Sequence, residues 1–324
     1  MMEKKKFLII RFSSIGDIVL TTPVIRSIKK QFQNSEVHYL SKKIFSDVLI
    51  HNPYIDRLHL IHSKISEIID QLKDEKFDFV IDLHQNLRSK RIKWILSAKS
   101  LSFNKLNLKK WLMVNTKINC LPKVHIVDRY FDAIRPLGIV NDDNGLDYFI
   151  SSEDEKINQR LPNNFLSGYD ALVLGGSYNT KKIPLNKLKE ICNRNTWPLV
   201  LLGGKEEMNT GEILSKHFTN KVYNACGKFS LNQSAALIKS AKKVFTSDTG
   251  LMHIASSYKK PIISLWGNTI PEFGMSPYLP GNKSETLEVK GLNCRPCSKL
   301  GFNKCPKKHF RCMNDIEFKT EHFV

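Results

Sequence analysis

The sequence predicts an α/β protein of two domains, on three observations: the length, a repeated alternation of short apolar runs with amphipathic stretches, and a polar break near the middle. A chain of 324 residues, 41% of them hydrophobic, is long for one core and can bury two of about 150 residues each. In the first half, residues 6–11, 37–40 and 78–83 read as strands and 23–32 as a helix, an alternation that builds a parallel sheet covered by helices. Residues 151–167 (SSEDEKINQRLPNNFLS) are polar and turn-rich without a sustained period, so the boundary is expected there, between a first domain over 1–155 and a second over 165–324. The second half repeats the pattern, with strands at 171–174, 198–202, 243–246 and 261–266 and helices at 185–194, 211–217 and 231–240.

The balance of 50 Lys and Arg against 31 Asp and Glu leaves a formal charge of +19, which favours an anionic partner: nucleic acid, a membrane face or a phosphorylated substrate. Residues 88–110 concentrate that charge in Arg88, Lys90, Arg91, Lys93, Lys99, Lys105, Lys109 and Lys110, with Trp94 inside the run and Trp111 just beyond it. Such a segment reads either as a face for an anionic surface or as a solvated helix. The opening MMEKKKFLII places basic residues before an apolar run, but the run breaks at Arg11 with no small-residue cleavage site, so a first strand is expected rather than a signal peptide. No stretch reaches the roughly 18 to 20 apolar residues of a membrane span, so the expectation is a cytoplasmic protein with only peripheral membrane contact.

Three polar motifs follow expected strands and precede expected helices, where the ligand crevice of an open α/β sheet lies. The first is Arg11-Phe12-Ser13-Ser14-Ile15-Gly16-Asp17; Asp17 is placed to meet a substrate, although Ser13, Ser14 or Asp17 could simply cap the next helix. The second, Gly175 to Pro184 (GGSYNTKKIP), combines small residues that admit a phosphate with two lysines that can neutralise it. It has neither P-loop nor Gly-x-Gly-x-x-Gly spacing, and a surface turn is its plain alternative. The third is Thr246-Ser247-Asp248-Thr249-Gly250-Leu251-Met252-His253, in which Asp248 or Thr249 could cap a helix whose free N–H groups face an anion. His253 is equally at home as a satisfied helix histidine.

A fourth cluster, Cys294-x2-Cys297-x7-Cys305-x6-Cys312 with His309 between the last two, offers four soft ligands for a structural zinc. Its later spacing is looser than a zinc ribbon's, and reduced, packed thiols are the alternative. Cys120, Cys192 and Cys226 are scattered and read as ordinary packed residues.

Taken in order, FLIIRFSSIGDIVLTT from Phe7, FVIDLHQNLR from Phe79, the Lys181-Lys182-Ile183-Pro184 element, LGG from Leu202, CGKFSL from Cys226 and TSDTGLMHIA from Thr246 resemble the heptosyltransferases of glycosyltransferase family 9. The resemblance implies a GT-B architecture, two Rossmann-like domains facing across a cleft, with acceptor bound mainly by the first and nucleotide sugar by the second. It implies inverting transfer from ADP-L-glycero-D-manno-heptose to the lipopolysaccharide inner core, with no cofactor required. Asp17 then matches the general base and Lys181 the lysine that offsets charge growing on ADP, with Lys182 its rival. Ser13, Ser14 and Gly16 fall in the loop around the base, and Ser177 in the donor loop. Asp248, Thr249, Gly250 and His253 match the donor-site signature, Phe229 an apolar contact near adenine, and Glu206 or Glu207 an acidic group for the ribose.

The implied partner is an anionic, Kdo-bearing glycolipid at the inner face of the inner membrane, which the basic segment suits. Three rival readings are a family-9 enzyme that uses another nucleotide sugar or adds a later heptose, a basic nucleic-acid-binding protein, and a catalytically silent scaffold, the last disfavoured because Asp17 and the Asp248-Thr249-Gly250 run are present. The second is disfavoured, and no nucleic-acid partner is expected, because no recognisable motif for it occurs and charge alone does not call for three strand-end sites.

Overall fold

The computed structural model describes residues 4–324, which divide into two compact units. One holds the chain up to Lys105 together with Val124–Phe149; the other holds Leu106–Lys123 and Ile150–Val324.

The first unit is built on a five-stranded sheet of β1 (Lys5–Ile10), β2 (Ser35–Lys42), β3 (Arg57–Ile61), β4 (Phe79–Asp82) and β5 (Lys99–Ser102) in the order β3-β2-β1-β4-β5. Every pairing is parallel. β1 is central because Phe7, Leu8, Ile9 and Ile10 are apolar on both faces, and all four are fully buried; each such burial stabilises by roughly 1.5–3 kcal/mol. The helices of this unit are α1 (Ile15–Val19), α2 (Thr22–Gln31), α3 (Ile69–Asp74), α4 (Leu87–Leu96) and α6 (Ile126–Ile134), while α5 (Asn107–Thr116) clusters with the second unit. Pro23 sits in the first turn of α2, Lys29 and Lys30 in its last, as its end charges favour. From its buried face Arg26 holds Asp142 by two hydrogen bonds of 2.7 and 2.8 Å and also pairs with Asp147, which ties the segment after α6 to this unit.

The second unit has a six-stranded, wholly parallel sheet of β6 (Asp170–Val173), β7 (Leu199–Leu202), β8 (Val222–Asn224), β9 (Val244–Ser247), β10 (Ile262–Trp266) and β11 (Glu285–Glu288), in the order β11-β10-β9-β6-β7-β8. Its helices are α7 (Ser152–Glu155), α8 (Leu185–Arg194), α9 (Met208–His217), α10 (Leu231–Ser240), α11 (Gly250–Ser257) and α12 (Arg311–Asn314). Met313, Ile316, Phe318 and Phe323 join the core cluster of Leu172, Leu201, Phe245 and Leu265, so the cysteine-bearing tail is part of this unit's core.

Three departures from the sequence expectation have clear causes. Residues 106–123 leave the expected first domain for the second unit, where Lys117 Nζ donates to the Pro296 carbonyl at 2.6 Å and Lys110 lies over the Phe273 ring. Residues 150–155 also belong to the second unit, where Lys239 pairs with Glu155 at 2.5 Å. The basic run 88–110 is not one helix: α4 stops at Ser97, which adopts a left-handed conformation, and β5 then pairs with β4. No helix among the described residues is long and apolar enough to cross a membrane.

Candidate active site

In the first unit the site grows from the end of β1. The chain turns through Arg11 to Ser14, and α1 starts under a capping box in which Asp17 Oδ2 accepts from the Ser14 N–H at 3.2 Å and the Ser14 hydroxyl at 2.8 Å. The other carboxylate oxygen lies 2.5 Å from Arg11 Nη2. Arg11 is nearly buried and also donates to the carbonyls of Ser13 and Leu83 and to the Tyr130 hydroxyl. Burial works against its charge, but Asp17 and the neighbouring tyrosines outweigh that and hold the guanidinium above its ordinary pKa. Asp17 thus caps α1 and is fixed at both oxygens, yet it keeps 23% of its side chain exposed. Ser14 is exposed, Ser13 partly so, and Gly16 is buried inside α1. Arg11 and Tyr130 were not singled out from sequence; the signal for Arg11 was its break of the apolar run directly before the loop.

In the second unit Lys181 closes the short 3-10 turn Asn179–Lys181 after β6, and its Nζ lies 2.5 Å from Asp248 Oδ2, which also accepts from the Thr269 hydroxyl at 3.1 Å. Asp248 directly precedes Thr249, the N-cap of α11, whose hydroxyl accepts from the Met252 N–H at 3.4 Å. The helix opens at Gly250, so the Lys181–Asp248 ion pair stands directly before its first N–H groups; a phosphate there would meet the helix N-terminus and would compete with Asp248 for the lysine. Lys182 turns elsewhere: it pairs with Glu207 at 2.6 Å, and burial notwithstanding, Glu207 and Glu206 hold its pKa above the ordinary value.

The remaining expected residues are not all brought together. Glu207 is buried, with its second oxygen accepting from the Gly204 N–H at 2.9 Å, whereas Glu206 is almost fully exposed. Ser177 is exposed in the loop after β6, and Phe229 is partly buried just before Ser230 caps α10. His253 is 2% exposed, so it is part of the interior of the unit rather than of an open surface. Thr269 escaped sequence reading because it follows β10 in a stretch without a motif.

All seven cysteines are free thiols. Burial, then the other tail thiols, push Cys297 up to about 11 and Cys312 up to about 12. Cys294 Sγ approaches His309 Nε2 at 3.8 Å, and the Cys297 thiol donates to the Cys294 carbonyl. Among the described residues, the groups of three or more His, Cys, Asp and Glu drawn within 4.8 Å of one another are His38 with His59 and Glu75, and Glu285 with Glu321 and His322; the tail cysteines are not in either.

This pair of parallel-sheet units, with charged loops at strand ends and a helix opening onto one of them, is the fold of GT-B-type sugar transferases. The chain superposes with a TM-score of 0.73 on a glycosyl transferase family 9 protein from Veillonella parvula (24% identity, 88% of this chain and 86% of that one). It superposes at 0.70 on the ADP-heptose lps heptosyltransferase II of E. coli (16% identity, 96% and 98%). In sequence it is 26% identical over 300 residues to lipopolysaccharide heptosyltransferase 1 of Campylobacter coli, covering 82% of this chain and 84% of that protein. Residues 65–305 match glycosyltransferase family 9 (heptosyltransferase), and the chain belongs to that family; it is a glycosyltransferase.

Proposed function

We propose that this enzyme transfers heptose from ADP-L-glycero-D-manno-heptose to the lipopolysaccharide inner core, onto Kdo-bearing lipid A or an already heptosylated core, with inversion at the anomeric carbon. The observation that carries the reading is the Lys181–Asp248 pair at the head of α11, a locus suited to a sugar diphosphate. The Campylobacter and E. coli relatives supply the choice of heptose and ADP.

On this reading the acceptor hydroxyl attacks the anomeric carbon, its proton passes to Asp17, and the bond to the departing ADP oxygen breaks. Arg11 and Ser14 hold the Asp17 carboxylate in one orientation, which favours proton transfer in a fixed geometry. The charge that grows on ADP meets Lys181 and the α11 N-terminus, while Asp248 holds sugar hydroxyls once the lysine turns to phosphate. A cavity of about 410 Å³ in the first unit, lined by Lys64, Arg88 and Arg91 and by Ile65, Ile69 and Ile95 with two serines, offers three cationic groups beside an apolar wall for an anionic acceptor. Action at the inner membrane face, as a peripheral protein, follows from such an acceptor. A structural zinc on Cys294, Cys297, Cys305 and Cys312 is the further part of the proposal: the thiol chemistry suits that ion, and binding would have to draw the four sulfurs closer together than they stand.

The test is turnover of purified protein with ADP-heptose and Kdo-lipid A, with Asp17→Ala as control and UDP-sugars as alternative donors. ADP-heptose-dependent product that vanishes in the control supports donor and base together. Turnover only with a UDP-sugar would replace the donor, and failure to bind any nucleotide sugar would remove the reading.

A further inference from the structure

His84 stands two residues beyond β4, and β4 runs beside β1 with Asp82 in register with Ile10, so His84 and the Arg11–Asp17 loop leave the sheet at the same end. Its backbone is fixed from several sides. The fully buried Asp82 carboxylate accepts from the N–H groups of His84 at 3.0 Å and Gln85 at 2.7 Å and from the Ser89 hydroxyl at 2.8 Å. Lys105 Nζ donates to the Gln85 carbonyl at 2.9 Å, and Gln85 Nε2 donates to the Phe103 carbonyl. Gln85 itself is held at a φ of 55°, a conformation a residue with a side chain adopts at a cost that surrounding contacts must offset.

The ring this loop presents lies edge-on to Phe12, 5.1 Å between centroids, in the loop that leads into α1 and Asp17. His84 is partly exposed, yet its Nδ1 is buried and has no hydrogen-bond partner. Burial first, then the charges of Arg11 and Lys105, push the imidazole down to about 4, so near neutral pH it is uncharged. A bare lone pair on the shut-in Nδ1 is easier to accommodate beside two cations than an orphaned N–H. That leaves the proton on Nε2, at the ring tip, which is the one directed polar atom His84 has to offer.

We infer that His84 is an acceptor-positioning residue, its Nε2–H donating to an oxygen of the acceptor sugar next to the hydroxyl that Asp17 deprotonates. The inference rests on Asp17 being the base. A ring that only packed against Phe12 would need neither the tied loop nor a polar tip, and a phenylalanine would serve it equally well.

Steady-state kinetics with ADP-heptose and Kdo-lipid A on His84→Phe, His84→Ala and His84→Gln test it, with melting temperatures as the check on folding. His84→Phe and His84→Ala should raise the acceptor KM roughly three- to tenfold, the loss of one hydrogen bond, with the donor KM unchanged. His84→Gln, which keeps an N–H donor, should restore most of it. A His84→Phe enzyme with the wild-type acceptor KM would overturn the inference, as would a donor KM that rises in parallel. An Asp17→Asn enzyme separates the two ideas: retained kcat there removes the base, whereas an acceptor KM that still depends on His84 keeps the positioning contact.

Discussion

Lys181 and Asp248, 67 residues apart in the chain, meet at 2.5 Å, while the very next residue, Lys182, is held 2.6 Å from Glu207. The 3-10 turn ends between the two lysines and Lys182 continues in an extended conformation, which sends neighbouring ammonium groups to different carboxylates. Spacing in the sequence left the two as rivals for the diphosphate; the turn separates them.

Lys181→Ala is accordingly expected to lower kcat by about 100- to 1,000-fold, the usual effect of losing a group aimed at transition-state charge. Lys182→Ala should leave kcat within about threefold and act mainly on stability, because the buried Glu207 loses its cationic partner. Kinetics and denaturant melts of both variants measure this; equal losses of kcat would assign the diphosphate to both lysines.

His59 predicts a pH dependence of stability. Its Nε2 lies 2.9 Å from His38 Nδ1, and burial, then His38, push its pKa down from 6.5 to about 4. The unfolded chain therefore binds a proton that the fold refuses between these values, so this contribution is complete above pH 6.5 and is lost as pH falls towards 4. The melting temperature should drop across that window, and drop less in His59→Gln. Parallel curves would show that His59 titrates alike folded and unfolded.

The basic surface of α4 predicts salt-dependent membrane binding. Lys90 and Arg91 are exposed, and Trp94 is 80% exposed beside them. Replacing Arg88, Lys90 and Arg91 by Glu should weaken binding to phosphatidylglycerol vesicles at least about tenfold at low salt, since each basic residue near such a surface contributes about 1 kcal/mol. The wild-type signal should fade as salt rises. Unchanged sedimentation with vesicles would remove the surface.

The tail predicts metal content. Protein purified without chelator should carry about one zinc per chain, and Cys294→Ser with Cys297→Ser should lose it and melt at lower temperature, because Met313 and Ile316 just beyond sit in the core. Metal-free wild-type protein of normal stability would leave the four cysteines as packed thiols.

Much of the fold was legible because its signals are local. Strands such as β1, β6 and β10 are dominated by apolar runs, FLII in β1 and ALV in β6, as strands buried on both faces are, and α8 and α10 coincide with the ranges read from their apolar period. β3, β5, β8 and β11 were missed because edge or near-edge strands are short and mix polar with apolar residues; parallel pairing to a neighbour, not composition, makes them strands.

By itself the sequence determined two α/β units, the strand-end position of each polar loop and the family, all of which follow from local pattern or from motif order. Only the tertiary structure decided which groups those loops bring together. It set Arg11 against Asp17, separated Lys181 from Lys182, buried His253, and moved residues 106–123 to the second unit. The reason is physical: these outcomes depend on parallel register and on hydrogen bonds between residues tens of positions apart, and no local period along the chain encodes them.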